Sequence, residues 1–170
     1  MPKKINIHPQ LHDVFSEQQT LIELMMVIIF GLSVPVILYL VFGQYFGQLP
    51  TWKIILAMVF ILDIAAGCIA NFTKSTNNFY DQRPKHRWIF IAIHFHIIIV
   101  AYGLDADIYN AVYIWFYTII AASIVNLLKD NDLQIFFGGF LLTCGLGLGL
   151  MLTDTHPIMA IVQSLFMVIL

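Results

Sequence analysis

The run WKIILAMVFILDIAAGCIANF, Trp52 to Phe72, decides the fold. It holds Lys53 at its start, Asp63 in its middle and Asn71 near its end, and almost every other side chain is apolar or small. A bilayer core about 30 Å thick is crossed by about 20 helical residues, so this length and composition predict a transmembrane helix. Working outward, Leu21 to Phe46, Trp88 to Leu104, Ile108 to Leu128 and Leu133 to Leu152 read the same way. A further apolar stretch, Ile158 to Leu170 within residues 156–170, is shorter and suits a tilted span, a re-entrant piece or an interfacial helix. The expectation is an all-α, multi-pass transmembrane helical bundle of six spans, with five plus a short C-terminal helix as the alternative.

The whole chain agrees with that run. Its 170 residues are 60% hydrophobic and 11% charged, against about 25% charged in soluble domains, and its mean hydropathy is +0.86. There is no internal repeat, low-complexity tract or linker, so residues 1–170 read as one membrane domain in contact with the lipid bilayer. The start is polar (His12, Asp13, Glu17) before any apolar run, which predicts no cleaved signal peptide and a first span retained as anchor. Ser16 and Gln19 have capping-box spacing, which suggests a short surface helix over His8 to Thr20. Cys68 and Cys144 sit in apolar spans without metal-type spacing and read as small packing residues. A net charge of −2 with no large basic stretch gives no reason to expect nucleic acid.

Charge placement sets the orientation. With alternating spans, Lys3, Lys4, Lys74, Arg83, Lys85, Arg87 and Lys129 fall on one side and only Lys53 on the other. Positive charge collects in cytoplasmic loops, so the N-terminus and the loop from Thr73 to Arg87 are expected in the cytoplasm, and the protein in a plasma or inner membrane.

Asp63 lies eight residues before Asn71, hence about 12 Å deep at 1.5 Å per residue. An ionisable group at that depth is costly and marks a site unless a neighbouring helix simply satisfies it. It shares a helical face with Ala66, Gly67, Ala70, Asn71 and Lys74, small and polar residues that suit the bundle interior. His94 and His96 lie six and eight residues beyond Trp88, so His96 matches Asp63 in depth. In a continuous helix residues two apart point about 200° from each other. The expected pair is therefore Asp63 with His96, and His94 is a neighbouring candidate. A carboxylate holding an imidazole can run proton transfer near neutral pH.

The same geometry argues against a metal motif in His-Phe-His. Zinc needs three or four converging ligands, and Asp63 with His96 would require His86 as a third. Haem is not expected from this chain alone, since no other span offers an opposing histidine. The loop adds hydrogen-bonding side chains at the mouth of the Asp63 helix. Asn71, Thr73, Asn77, Tyr80, Arg83 and Arg87, with Asn126 from the fourth span, are candidates for holding a substrate, above all an anionic lipid or small molecule. A plain positive-inside loop accounts for its basic residues equally well. In the fifth span, Gly145 and Gly149 have the spacing of close helix contacts, within one chain or with another protomer or membrane-complex partner. Pro35 is placed to kink the first span.

Three readings fit this placement. One is a membrane-embedded enzyme acting on a lipid or isoprenoid by acid–base or metal-assisted chemistry at a buried Asp–His site open to the cytoplasm. Another is a proton-coupled small transporter or channel. The third is an accessory or assembly subunit of a larger membrane complex.

Overall fold

The computed structural model describes residues 4–7, 18–152 and 156–169. Most of the expected surface helix over His8 to Thr20 lies outside those residues, and its last three residues are not helical. Gln18–Thr20 (β2) pairs antiparallel with Lys4–Asn6 (β1), with Ile5 opposite Gln19. The fold is thus a helical bundle with a small ribbon at its start. Thr20 ends the ribbon and caps the first helix: its hydroxyl accepts from the Glu23 N–H at 3.2 Å, while the Glu23 carboxylate accepts from the Thr20 N–H at 2.9 Å. Both partners satisfy donors that a helix start leaves open.

The helices are α1 (Leu21–Val41), α2 (Thr51–Ala70), α3 (Lys74–Asp81), α4 (Pro84–Ile93), α5 (His96–Gly103), α6 (Ile108–Leu127), α7 (Gln134–Leu152) and α8 (Pro157–Met167). Helix α1 runs through Pro35 without a break and is followed by a 3-10 turn at Gly43–Tyr45, where the sequence had suggested continued span. Five helical stretches are long and apolar enough to cross a membrane: α1, α2, α4 with α5, α6 and α7.

Two further elements differ from the sequence reading. The loop from Thr73 to Arg87 is largely helical. Thr73 caps α3 by accepting from the Thr76 N–H, and α3 buries Thr76, Phe79 and Tyr80 while its other face stays polar. Helix α8, at 11 residues, is about 16 Å long and falls short of a span. One face is fully buried, at Ile158, Val162 and Phe166, and packs against α2, α5, α6 and α7, while Ile161 is 40% exposed. Apolar on nearly every side, it forms the centre of the core.

The packing is tight at one end of the bundle and open at the other. Helix α2 lies along α5 so closely that a Cβ on Gly103 would sit 3.0 Å from Ala57 Cβ and 3.0 Å from the Lys53 carbonyl oxygen. Lys53 and Asp105 form an ion pair at the same end. Toward the other end, which carries Lys74, Arg83, Lys85, Arg87 and Lys129, a cleft separates α2 from α4, and α3 crosses beneath it.

Candidate functional site

The site begins with a break in the third apolar stretch. Between α4 and α5, His94 adopts φ −79° and ψ 64°, and the Phe95 N–H donates to the Ile93 carbonyl at 2.9 Å. Those angles and that i to i+2 bond define an inverse γ-turn. The His94 N–H donates to the Ile91 carbonyl at 3.3 Å, one residue short of the α-helical acceptor. The acceptor it skips, the Phe90 carbonyl, receives the His94 side chain instead, with Nδ1 at 2.6 Å. A carbonyl only accepts, so Nδ1 carries the proton, and the imidazole closes the end of α4 in place of its own backbone. No proline or glycine stands near this turn, so the usual sequence signals for a break are missing.

The break changes where the histidines point. A continuous helix would turn His94 and His96 to opposite faces, whereas here their ring centroids are 5.3 Å apart. They belong to a run of rings in contact: Tyr80 with Phe90 at 5.0 Å, Phe90 with His94 at 4.1 Å, and His96 with Phe60 at 5.3 Å.

Asp63 Oδ2 lies 2.8 Å from His96 Nδ1. The carboxylate approaches off the ring's in-plane N–H direction, so this is a close ion-pair contact and not an aligned hydrogen bond. Both residues line a cavity of about 350 Å³ between α2 and α4. Asp63, Gly67, Ala70 and Asn71 form one wall; His86, Ile89, Phe90 and Ile93 form the other; Thr76 and Tyr80 of α3 lie across the mouth, and the two histidines of the break lie at the inner end. None of its lining residues comes from the Thr51 to Leu62 part of α2 or from α5 beyond His96. The Asp63 side chain is 49% exposed and that of His96 20%, so Asp63, expected to be buried, instead opens onto the cleft and the imidazole backs it.

The expected third metal ligand does not join them. His86 lies on the cleft wall, but among the described residues no three His, Cys, Asp or Glu side chains converge to hold a metal ion. His86 thus stands apart from the Asp63–His96 contact.

The candidate substrate-holding residues separate into groups. Asn71 and Tyr80 line the Asp63 cleft. They also line a second cavity of about 630 Å³, where Asn77, Arg87 and Asn126 are found. The Tyr80 and Phe90 rings border both spaces. Thr73 lines neither; its buried hydroxyl lies 2.9 Å from the Ala70 carbonyl and 2.9 Å from the Thr76 hydroxyl, a helix-capping position. Arg83 also stays outside both, with its guanidinium 4.2 Å from the Phe79 ring centroid. Sequence reasoning missed Thr76, Ile89 and Ile93 in the first cavity and Asp81, Lys129 and Gln134 in the second. Helical spacing along α3 and α4 would have found the first set, had residues 74–81 been read as helix.

Gly145 and Gly149 are internal contacts: added Cβ atoms would meet Tyr117 at 2.6 Å and Met167 at 3.2 Å, respectively. No protein-family model, curated protein or solved structure matches this chain, so its function is argued from its own residues.

Proposed function

We propose that this chain is an integral membrane enzyme in which Asp63 and His96 carry out general acid–base chemistry on the polar end of an amphiphilic, lipid- or isoprenoid-like molecule. The basic end of the bundle and the N-terminal arm face the cytoplasm, in a plasma or inner membrane, because the positive charge collects there. The observation that carries the reading is the placement of the Asp63–His96 contact at the inner end of a one-sided cleft. Its volume of about 350 Å³ suits a small ligand. Its walls mix hydrocarbon from Ile89 and Ile93 with hydrogen-bonding groups from Asn71, Thr76 and Tyr80. Such a lining accepts a chain and a head group together. The carboxylate and the imidazole are close enough to share a proton with the polar end of a molecule bound between the walls.

A second reading, proton-coupled transport, has one specific observation in its favour. The third apolar stretch is broken at His94 and Phe95, beside the acid, and discontinuous helices near the midplane are how many transporters build their sites.

Side-specific labelling separates the two. In a Cys68→Ala, Cys144→Ala background, Gly67→Cys is treated with a membrane-impermeant thiol reagent in vesicles of each orientation. The enzyme reading expects labelling only from the cytoplasmic face, whereas labelling from both faces assigns the cleft to transport. Lipid extracts of wild-type, Asp63→Asn and His96→Gln protein purified from the same membranes are then compared by mass spectrometry. The enzyme reading expects both variants to retain an amphiphile that wild type turns over. Identical lipid profiles for all three would sink it.

A further inference from the structure

The larger cavity lies on the far side of the Tyr80 and Phe90 rings from Asp63, between α3 and α4 on one side and α6 and α7 on the other. Two cations meet at its rim on a single atom. Asp81 Oδ1 is 2.6 Å from Arg87 Nη2 and 3.4 Å from Lys129 Nζ. Arg87 is further fixed by Nη1 donating to Asn126 Oδ1 at 3.1 Å, and Lys129 by Nζ donating to the Asp81 carbonyl at 3.0 Å. The burial is uneven in an informative way. The cationic side chains are 17% and 30% exposed, whereas the Asp81 side chain is 54% exposed. The enclosed members of the cluster are the cations, and the carboxylate enters from outside, one oxygen on both of them. That is the arrangement of an oxyanion site filled by the chain's own acid. Behind it the wall is hydrocarbon, from Phe90, Val125, Ile135, Val168 and Ile169. A soluble ion has no use for that surface, while an acyl chain does.

We propose that this cavity is a binding site for a lipid with a phosphate monoester head group, in which Arg87 and Lys129 take the phosphate and Asp81 is the resident anion it displaces. The acyl chain lies along the apolar wall. The inference rests on the membrane reading above but on no property of Asp63 or His96, since it concerns occupancy and not turnover. Basic pockets between helices near the cytoplasmic surface are where anionic lipids are held in other membrane proteins.

The test has a sign that a structural ion pair does not share. Short-chain phosphatidic acid is titrated into the detergent-solubilised full chain and bound copies are counted by native mass spectrometry, with phosphatidylcholine of the same chain length as reference. Asp81→Asn keeps the shape and removes the competing charge, so phosphatidic acid should bind about fivefold tighter, on the scale of one partly exposed charge contact. Lys129→Gln, in the turn after α6, should weaken binding by a similar factor. Phosphatidylcholine should respond to neither. If Asp81 only ties α3 to α6, Asp81→Asn leaves phosphatidic acid binding unchanged or weaker, and the proposal is overturned. Should Asp81→Asn fail to fold, Lys129→Gln decides alone, and unchanged affinity in that variant also overturns it. In a parallel arm, inorganic phosphate replaces the lipid. Tightening of inorganic phosphate to the same degree, with full displacement of lipid, would reassign the site to a soluble anion. A Gly67→Cys labelling pattern contrary to the enzyme reading would leave these affinities untouched, so the two failures are distinguishable.

Discussion

Substituting Gly103 by Ala tests the α2–α5 seal that the proposed one-sided access to the Asp63 cleft requires. The new methyl carbon would lie 3.0 Å from Ala57 Cβ, 3.0 Å from the Lys53 carbonyl oxygen and 3.1 Å from the Ala57 backbone nitrogen. All three are backbone or backbone-fixed atoms, so no side chain can swing aside. Helices α2 and α5 must part by several tenths of an ångström. Overpacking of this kind costs about 1–3 kcal/mol. Replacing helical glycine by alanine returns at most about 1 kcal/mol, and less at the last residue of a helix. A net loss of about 1–2 kcal/mol lowers the melting temperature of a chain this size by about 2–8 °C. Gly147→Ala is the matched control, because nothing lies within 4 Å of its added Cβ. It should melt at or above wild type. Both are measured by thermal unfolding in one detergent, and the Gly67→Cys labelling is repeated in the Gly103→Ala background, where reagent should begin to enter from the Asp105 end. A Gly103→Ala protein as stable as the Gly147→Ala control would mean that α2 and α5 are not held at this distance, and the argument for a closed end would fall with it.

Three further outcomes follow from the packing and the turn. Phe166→Ala removes a fully buried ring near the end of α8 and should cost about 3–5 kcal/mol. Phe136→Ala, on a side chain that is 64% exposed, should change stability by less than about 0.5 kcal/mol, and equal losses would contradict the central position of α8. His94→Leu leaves the Phe90 carbonyl without its side-chain donor, at about 1–3 kcal/mol, and should speed amide exchange from Ile93 to Ile98; unchanged exchange would show that the imidazole does not hold the turn. His156, in the turn before α8, packs against Tyr45, and burial holds its pKa below the ordinary 6.5. The native state therefore binds fewer protons than the unfolded one below that value. Stability should be full above about pH 6.5 and decline as the pH falls through it, and the slope should flatten in His156→Gln. A slope that survives the substitution would assign it to other groups.

The sequence disclosed most where one residue type carries the message alone. Length and hydropathy located the five long apolar helices, because a run of 20 such residues has few other uses. Depth counting brought Asp63 to His96, since rise per residue is nearly invariant along a helix. What stayed hidden depended on contacts between distant segments. The γ-turn at His94 is held by a side chain bonding its own backbone, without the proline or glycine that usually marks a break. The helix at Lys74–Asp81 has amphipathic spacing, but its polar composition reads as loop until Phe79 and Tyr80 find the bundle to cover them. The division of the polar residues between two cavities hangs on two aromatic rings meeting in space, and Tyr80 and Phe90 are ordinary residues in sequence.

The short length of α8 acquires a volumetric meaning beside the two cavities. A helix of full span at the centre of this bundle would fill the axis from end to end. This one finishes at Met167, and Val168 and Ile169 already form part of the larger cavity's wall. The end of α8 thus borders that space directly. Val168 and Ile169 line the larger cavity and not the one that holds Asp63 and His96, so a change of side-chain size at either resizes the first space while leaving the second alone.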